Sequence, residues 1–299
     1  MTTTAAPGAA TDPGQLPEYT RARQRQARAG ENFPIAAWLL RPSRREARAA
    51  IYGFCRLVDD IGDEQLGDPR AQLRRCQEEL QACYSGRPRH PIFQRLQPVI
   101  QRHQLTPEPF QRLIQANLQD QERLRYQDWE ELLDYCTLSA NPVGELVLAL
   151  EGIGDPERVH LSDSVCTGLQ LANMWQDLAS DRARGRRYLP LQVLQRHGGA
   201  EEEWWSGTVT ASMRAALAEA VGRARMLLRE GWPLVTKVPG LMRVEMASFV
   251  LAGLAASDSV LEAGDLAFAQ RARLSPKARR RAVLGAATAW RSPVPPIAR

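Results

Sequence analysis

The sequence contains very little lysine. Lys237 and Lys277 are its only lysines, so arginine carries almost all of the positive charge behind the net charge of +5. No dense basic helix with interleaved aromatic residues is present, which argues against a nucleic-acid groove. An anionic small molecule fits this composition better, because arginine can contact its charged oxygens directly.

Closely spaced metal-binding residues are also missing. The cysteines form no CxxC pair and no Cys/His spacing, and the four histidines are scattered. This excludes the usual zinc patterns and gives no sign of a catalytic triad. The odd number of cysteines and their positions within helical patterns predict buried free thiols in a reducing compartment. They are Cys55, Cys76, Cys83, Cys136 and Cys166.

Long apolar runs and a signal peptide are absent as well. No uninterrupted apolar run approaches the ~20 residues that span a bilayer, and we expect MASFVLAGLAA to be a buried core helix. The start MTTTAAPGAATDPGQLP lacks the basic head and apolar core of a signal peptide. We therefore expect a disordered tail over residues 1–18 and a cytoplasmic protein.

Helical periodicity runs through nearly the whole sequence, and no alternating β-branched run predicts a strand. Predicted helices run from Pro69 to Ser85, from Pro107 through RLRY, and over LSDSVCTGLQLANMWQDLASD to Gly185. No linker or repeat divides the chain. The sequence predicts one all-α domain of roughly ten helices over residues 19–290, followed by a tail over residues 291–299.

One predicted helix is interrupted within an apolar stretch. Asp128 is a good N-cap with Glu131 three residues later, but Pro142 and Gly144 follow within the same apolar pattern. Proline and glycine there break or kink the helix. Two interpretations stay open: the break exposes backbone to a cavity, or it is an ordinary packing kink.

Two acidic clusters provide the strongest functional signal. Asp59 and Asp63 are four residues apart, as are Asp177 and Asp181. On a helix this spacing places like charges on one face, roughly 6 Å apart along the axis, where they repel each other. A solvated helix face explains one such pair. Two pairs inside apolar helical stretches favour a cation between the carboxylates, and Mg²⁺ prefers such hard oxygen ligands together with substrate phosphates.

The residues around these clusters resemble the squalene/phytoene synthase family, the trans-isoprenoid synthases that join prenyl units head to head. The segment IYGFCRLVDDIGDE resembles the Tyr-x-x-x-Arg and first Asp-x-x-x-Asp elements of this family. LQLANMWQDLASDRARGRRYLP resembles its second acidic element, and DYCTLSANPVGELV resembles its kinked helix. The resemblance covers residues 51–190 in the order of the family. It implies the isoprenoid synthase fold, with the helices around a central active-site cavity.

The resemblance also implies roles for individual residues. Those implied for Mg²⁺ binding are Asp59 and Asp63 on one side and Asn173, Asp177 and Asp181 on the other. Those implied for catalysis are Arg56, which would contact the diphosphate, the pocket tyrosines Tyr52 and Tyr135, and Tyr188, which would cover the mouth of the site together with Arg186. Those implied for substrate binding are Arg56, Gly144, Gln170, Asn173 and Arg186, with Ala140 and Val143 shaping the prenyl tunnel.

Some residues near the motifs keep alternative interpretations. Arg56 can equally form a salt bridge to Asp60 or Asp59, and Tyr52 can be a core aromatic residue. Asp60 and Glu64 are supporting groups around the metal or solvated charges. We expect Arg184 and Arg187 to be in solvent. Arg271 and Arg273 are candidates for further phosphate ligands.

The segment ENFPIAAWLLRPSRR resembles the bacterial hydroxysqualene synthase branch of this family. Phytoene and dehydrosqualene synthases usually carry Lys and Ser near the positions of Glu31 and Asn32, where they serve a second diphosphate. The branch resemblance, which includes Trp38, implies conversion of presqualene diphosphate and water to hydroxysqualene and diphosphate. The alternatives are a head-to-head prenyltransferase that uses farnesyl or geranylgeranyl diphosphate and a non-catalytic assembly factor. The basic stretch KARRR is either a solvated helix or a peripheral membrane contact.

Overall fold

The computed structural model describes residues 42–64 and 67–289, together with residues 16, 292 and 295. The predictions for the two terminal tails, and those for Glu31, Asn32 and Trp38, lie outside these residues, as does the side chain of Glu64. The α-helices in the described residues are α1 Pro42–Glu64, α2 Pro69–Ser85, α3 Pro91–His103, α4 Glu108–Gln119, α5 Trp129–Ser139, α6 Asn141–Ala149, α7 Pro156–Gln176, α8 Leu178–Ala183, α9 Leu191–Arg196, α10 Glu201–Trp205, α11 Ala211–Glu230, α12 Leu234–Lys237, α13 Met242–Ala263 and α14 Pro276–Ala289.

The all-α prediction is confirmed. Ten of these helices have nine or more residues, and a short 3₁₀-helix, Gly264–Phe268, follows α13. In the described ranges the backbone forms no β-strand, only an isolated bridge between Arg125 and Arg187. All five cysteines are free, as predicted. Cys76, Cys83 and Cys136 are also buried, whereas Cys55 and Cys166 are only half-buried, so the prediction of burial is wrong for these two.

Local capping explains the helix ends that the sequence predicted correctly. The Asp68 carboxylate accepts hydrogen bonds from the first backbone amides of α2, and Gly86 ends this helix with a left-handed φ of 85°. The Asp128 carboxylate accepts a hydrogen bond of 2.9 Å from the Glu131 amide at the start of α5. The predicted break is present between α5 and α6, where Pro142 lies in the first turn of α6.

Three predicted helix boundaries are wrong. The helix predicted to begin at Leu161 begins five residues earlier, because Asp155 caps α7 and Pro156 occupies its first position. Helix α4 ends at Gln119, and the following backbone is held elsewhere: the Leu124 carbonyl accepts a hydrogen bond from the Arg187 amide. The long helix expected up to Gly185 is interrupted at Asp177, between α7 and α8.

Helix α7 occupies the middle of the packing arrangement. It packs against α5, α6, α11 and α13, while α1 packs against α2, α3 and α4. Phe54 of α1 meets Phe93 and Phe110 edge to face, with ring centroids 5.8 Å and 5.1 Å apart. Such aromatic pairs fix the angle at which α1 enters the core. The acidic ends of α1 and α7 are thereby both held by buried helices.

The segment Met242–Phe268 is apolar and long enough to cross a membrane by length and composition, with a mean hydropathy of 1.5. However, 67% of its apolar window is buried within the protein. A buried core helix meets the same criterion, so this segment is weak evidence for a membrane span. The MASFVLAGLAA stretch lies within α13 and is largely buried, as the sequence predicted.

Candidate active site

The first acidic wall is the C-terminal half of α1. Asp59 and Asp63 lie on this helix one turn apart and both are solvent-accessible. Arg56 lies one turn earlier and forms a 2.6 Å ion pair with the buried carboxylate of Asp60. Of the alternatives left open for Arg56, the salt bridge to Asp60 is therefore present in the structure. Its predicted contact with diphosphate stays a prediction.

The second acidic wall lies where α7 gives way to α8. Asn173 is in the last turn of α7, Asp177 occupies the junction and Asp181 lies on α8. The Asp181 amide donates a 3.0 Å hydrogen bond to the Asp177 carbonyl, so the helical spacing between these two residues is kept across the break. Both carboxylates therefore still point to one side of the backbone.

Arginines connect the two walls. Arg186 and Arg184, which follow α8, contact Asp63 of α1 at 3.2 Å and 3.7 Å. Arg271, from the segment after α13, contacts Asp177 at 2.9 Å. The structure thus brings the two acidic clusters predicted from the sequence to one site and places three arginine side chains beside them. Arg271 had only weak spacing support in the sequence.

The position of Arg271 is fixed by Gln176, the last residue of α7. The buried Gln176 side chain donates a 2.9 Å hydrogen bond to the Ala272 carbonyl, and the Ala272 amide donates one of 3.2 Å to the Gln176 carbonyl. In a continuous helix that carbonyl would accept from residue 180. This tertiary contact explains both the break at Asp177 and the arrival of Arg271 beside it.

The carboxylates are held where ionisation is costly. Surrounding protein removes water from Asp59 and raises its pKa to about 7, although the side chain is accessible within the cleft. The pKa of Asp181 is also raised to about 7, first by desolvation and then by the negative charge of Asp177. Desolvation likewise raises the pKa of Asp177, while Arg271 opposes the shift. Such a site favours an added cation.

The predicted oxygen ligands suit Mg²⁺ only if the substrate supplies further ligands. In the part of the chain that the structure describes, no three Asp, Glu, His or Cys side chains are grouped closely enough to hold one ion. The predicted ligands instead offer hard oxygens in pairs along two walls. Mg²⁺ usually takes one or two protein carboxylates and completes its shell with water and substrate phosphates. The residues fit a metal that binds together with diphosphate.

A third element of the site comes from the end of α4 and was missed in the sequence. The hydroxyl of the buried Tyr135 donates a 2.6 Å hydrogen bond to Asp120, and the Tyr188 hydroxyl lies 3.5 Å from its other oxygen. Desolvation raises the pKa of Asp120 to about 6, opposed by the Tyr135 hydrogen bond and by Arg186. Tyr126 stacks on Tyr188 at 5.7 Å. Tyr135 and Tyr188, both implied by the resemblance as site residues, therefore share one carboxylate.

The same end of α4 also supports the first acidic wall. The Asn117 side chain donates a hydrogen bond of 3.4 Å to Asp59, and the Gln121 side chain donates to the Gly62 carbonyl at 3.2 Å. A Cβ on Gly62 would lie 2.3 Å from the Asn117 side-chain oxygen, so any other residue at this position would displace the Asn117 side chain. The spacing of Asn117, Asp120 and Gln121, three and four residues apart, is the signal that could have found them.

A small cavity, of about 10 Å³, lies next to the second acidic wall. Asp181, Arg186 and Tyr188 contribute its polar lining, and Trp175 and Trp204 are among its apolar residues. It is about large enough for a single water molecule. The grouping places Tyr188 within the same region as the second acidic wall.

Arg187 corrects a sequence prediction. It was expected in solvent, but it is fully buried with 0% exposure. Its guanidinium donates hydrogen bonds to the carbonyls of Tyr126 and Leu189 and lies 3.4 Å from Glu201. It therefore fixes the chain that carries Arg186 and Tyr188. Arg184 is exposed, as expected, although it also pairs with Asp63.

The remaining predicted residues lie on or next to helices α1, α6 and α7. Tyr52 and Gln170 are half-buried, on α1 and α7 respectively. A Cβ on Gly144 would lie 2.3 Å from the Ser162 hydroxyl and 2.6 Å from the Cys166 sulfur. Gly144 thus permits close packing of α6 on α7. That contact supports the packing interpretation of the kink, while the tunnel roles of Gly144, Ala140 and Val143 stay predictions.

Comparison with known proteins gives the family. The squalene/phytoene synthase family model matches residues 26–280. This chain belongs to the squalene/phytoene synthase family. The resemblance seen in the two acidic motifs is therefore confirmed, and the members of this family are enzymes that process prenyl diphosphates.

Similar relatives include two bacterial hydroxysqualene synthases and a plant phytoene synthase. The chain is 33% identical to hydroxysqualene synthase of Rhodopseudomonas palustris and 32% identical to that of Sinorhizobium fredii, in each case over 70% of this chain and 71% of the relative. It is 30% identical to chloroplastic phytoene synthase 1 of Solanum lycopersicum, over 78% of this chain and 59% of the relative.

Solved structures confirm the isoprenoid synthase fold. The squalene synthase HpnC from Alicyclobacillus acidocaldarius matches with a TM-score of 0.73 and 38% identity, covering 81% of this chain and 92% of that one. A dehydrosqualene synthase in complex with a ligand matches with a TM-score of 0.80 at 20% identity, covering 90% and 95%. At that identity the second match supports the fold alone.

Proposed function

We propose that this family member is a hydroxysqualene synthase, which converts presqualene diphosphate and water to hydroxysqualene and diphosphate. The observation that carries the proposal is the identity of 33% and 32% to two hydroxysqualene synthases over most of both chains. The convergence of both acidic walls and their arginines supports it, because ionisation of a prenyl diphosphate needs positive charge around the leaving group.

The site can stabilise the departing diphosphate without a general base. Three arginines form ion pairs with carboxylates of the site: Arg184, Arg186 and Arg271. When a substrate is bound, each can form an ion pair with its phosphate oxygens instead. Asp59 and Asp63 on one wall, and Asn173, Asp177 and Asp181 on the other, would hold Mg²⁺, which supplies further positive charge to the leaving group. Arg56 reaches the diphosphate by exchanging its bond to Asp60 for one to phosphate.

The carbocation left behind needs apolar and aromatic surroundings. The rings of Tyr126, Tyr135 and Tyr188 cluster with centroids 5.6–6.0 Å apart. The hydroxyls of Tyr135 and Tyr188 are directed to Asp120, so they do not attack the cation as nucleophiles. The faces of the rings remain able to stabilise positive charge. We assign Tyr135 and Tyr188, with Tyr52, to the cation pocket.

The decisive experiment supplies defined substrates to the purified protein. With Mg²⁺, we expect presqualene diphosphate to give hydroxysqualene, identified by mass spectrometry, while farnesyl diphosphate alone gives no product. Turnover of farnesyl diphosphate to presqualene diphosphate, or of geranylgeranyl diphosphate to a C40 hydrocarbon, would contradict the assignment. That result would support the second candidate, a head-to-head prenyltransferase, which the 30% identity to a phytoene synthase favours.

A non-catalytic assembly role is the third candidate. It predicts that Asp59→Ala and Asp177→Ala leave the biological role of the protein unchanged. The intact acidic walls favour catalysis, and we expect either substitution to abolish turnover in the same assay.

Membrane contact and location form a separate part of the proposal. We place the enzyme in the cytoplasm, with a peripheral contact to the inner membrane face. Lys277, Arg279 and Arg280 of α14 are exposed and suit an anionic lipid surface, and the expected product is itself a lipid. Cosedimentation with vesicles of anionic phospholipid tests this contact. Full recovery of the protein in the supernatant at low salt would refute it.

A further inference from the structure

A cleft of about 920 Å³ lies where the first turns of α2 pack beside the end of α4. This volume is within the range of small-molecule binding sites. Gln115, Leu118 and Gln119 of α4 form one side of the cleft. None of its lining residues belongs to the acidic walls or to the tyrosines around Asp120, so the cleft is distinct from the candidate active site.

Arginine dominates the charge of this cleft. Its charged lining consists of four arginines and one glutamate: Arg70 and Arg74 on α2, and Glu122, Arg123 and Arg125 after α4. Arg70 and Arg74 are one helical turn apart, so both side chains lie on one face of α2, roughly 6 Å apart along the axis. Two like charges in this arrangement repel each other, and an anion between them removes the repulsion.

The carboxylates within reach do not neutralise these arginines. Three glutamates form ion pairs with them or with the buried Arg187: Glu122 with Arg70 at 3.3 Å, Glu131 with Arg123 at 3.5 Å, and Glu201 with Arg125 at 3.1 Å and with Arg187 at 3.4 Å. Arg74 forms no ion pair with another of the described residues. Five arginines therefore face three glutamates, which leaves a surplus of two positive charges.

Two of the arginines are oriented by aromatic rings. The Arg125 guanidinium lies 4.9 Å from the centre of the Trp205 ring, and that of Arg123 lies 5.9 Å from the centre of the Tyr126 ring. Such contacts hold a guanidinium in place and leave its N–H groups able to donate. The ion pairs of both arginines are solvent-exposed, and exposed pairs contribute only ~0–1 kcal/mol. Phosphate oxygens can therefore replace the glutamates at little cost.

We propose that this cleft binds a small, soluble anion that carries several phosphate groups, with the arginine pair of α2 on one phosphate and the pair after α4 on another. The proposal goes beyond the proposed function and does not depend on it. A phospholipid bilayer presents the same chemical group. However, the cleft is concave, and Leu124 is the one exposed large apolar side chain of the described residues that lines it, so a free anion fits better.

Calorimetry with inorganic tripolyphosphate tests the proposal on the full-length protein in EDTA at low salt. Without a metal ion, the carboxylates of the acidic walls repel a polyanion, so binding there is suppressed. We expect the wild-type protein to bind tripolyphosphate. Arg74→Gln should weaken this binding about fivefold, and Arg74→Gln combined with Arg123→Gln about thirtyfold, because each substitution removes a charged donor to phosphate. Both arginines are exposed, so the substitutions leave the core intact.

Arg102→Gln is the matched control, because Arg102 is an exposed arginine at the end of α3 and its loss changes the net charge equally. Its affinity should equal that of the wild type, and so should that of Arg271→Gln. Equal weakening by Arg102→Gln would reduce the effect to net charge, and weakening by Arg271→Gln would place the anion at the acidic walls. Either result overturns the proposal, as does the absence of binding to the wild type. Cosedimentation with phosphatidylglycerol vesicles that only the double variant loses, without tripolyphosphate binding, would assign these arginines to lipid headgroups and also overturn it.

Discussion

The hydrogen bond between Tyr135 and Asp120 makes a quantitative prediction. It measures 2.6 Å and joins a buried hydroxyl to a carboxylate whose pKa is about 6. Removing it by Tyr135→Phe should lower the free energy of unfolding by about 1.5–3 kcal/mol while Asp120 is ionised, which is the range for hydrogen bonds to charged groups. The protonated form of Asp120 loses only a neutral hydrogen bond, about 0.5–1.5 kcal/mol. Because 1.36 kcal/mol equals one pKa unit, the difference of about 1–1.5 kcal/mol should raise the pKa of Asp120 by about 1 unit.

The change in pKa determines how stability depends on pH. The folded-state pKa of Asp120 lies above its ordinary value of 3.8, so its contribution to stability is present at low pH and is lost as pH rises toward 6. In Tyr135→Phe the loss should continue to about pH 7. The destabilisation relative to wild type should therefore be about 0.5–1.5 kcal/mol at pH 5, where a neutral hydrogen bond is lost, and about 1.5–3 kcal/mol at pH 8.

Urea unfolding of metal-free protein between pH 5 and pH 8 measures this difference. Tyr84→Phe is the matched control, because the Tyr84 hydroxyl donates a 3.0 Å hydrogen bond to a neutral acceptor, the Leu105 carbonyl. Its destabilisation should not change over this pH interval. A Tyr135→Phe effect that is equally independent of pH would refute the coupling between this tyrosine and Asp120.

Three further predictions concern the acidic walls. Gly62→Ala should displace Asn117 and cost about 1–3 kcal/mol of stability by overpacking, measured by urea unfolding. Asp181→Asn should stabilise the metal-free protein at pH 8 by about 1 kcal/mol, because it removes a carboxylate that is charged there despite a raised pKa. The same variant should lose the increase in Tm that Mg²⁺ with diphosphate gives the wild type. Gln176→Leu should release Arg271 and weaken diphosphate binding about tenfold in calorimetry, about 1.4 kcal/mol. Wild-type affinity in that variant would show that Arg271 is not a phosphate ligand.

Sequence reasoning succeeded where the determinant is local. Helix α2 begins and ends as predicted because Asp68 and Gly86 act on the residues next to them. The Asp59 and Asp63 pair lies on one helix face because α1 is continuous through both residues. Their family assignment followed from the order and spacing of short motifs, which the family model then confirmed.

Sequence reasoning failed where a segment far away in the chain determines the local structure. The break at Asp177 depends on a hydrogen bond from Ala272, which no periodicity in α7 can reveal. Arg187 is charged and lies next to a solvent-exposed turn in sequence, yet carbonyl groups from distant and neighbouring residues, together with Glu201, satisfy it inside the protein. Asp120 was overlooked because Tyr135 and Tyr188, its partners, come from two other segments.

The reciprocal bonds between Gln176 and Ala272 have a consequence for biosynthesis. They join residues 96 positions apart, so the second acidic wall receives its arginine only when the chain has been synthesised well past α13. A nascent chain that still has this segment in the ribosome can form α1 to α7, but it leaves Asp177 without Arg271. Completion of the diphosphate end is therefore a late event in folding, and fragments that end before residue 271 should accumulate as helical but inactive proteins.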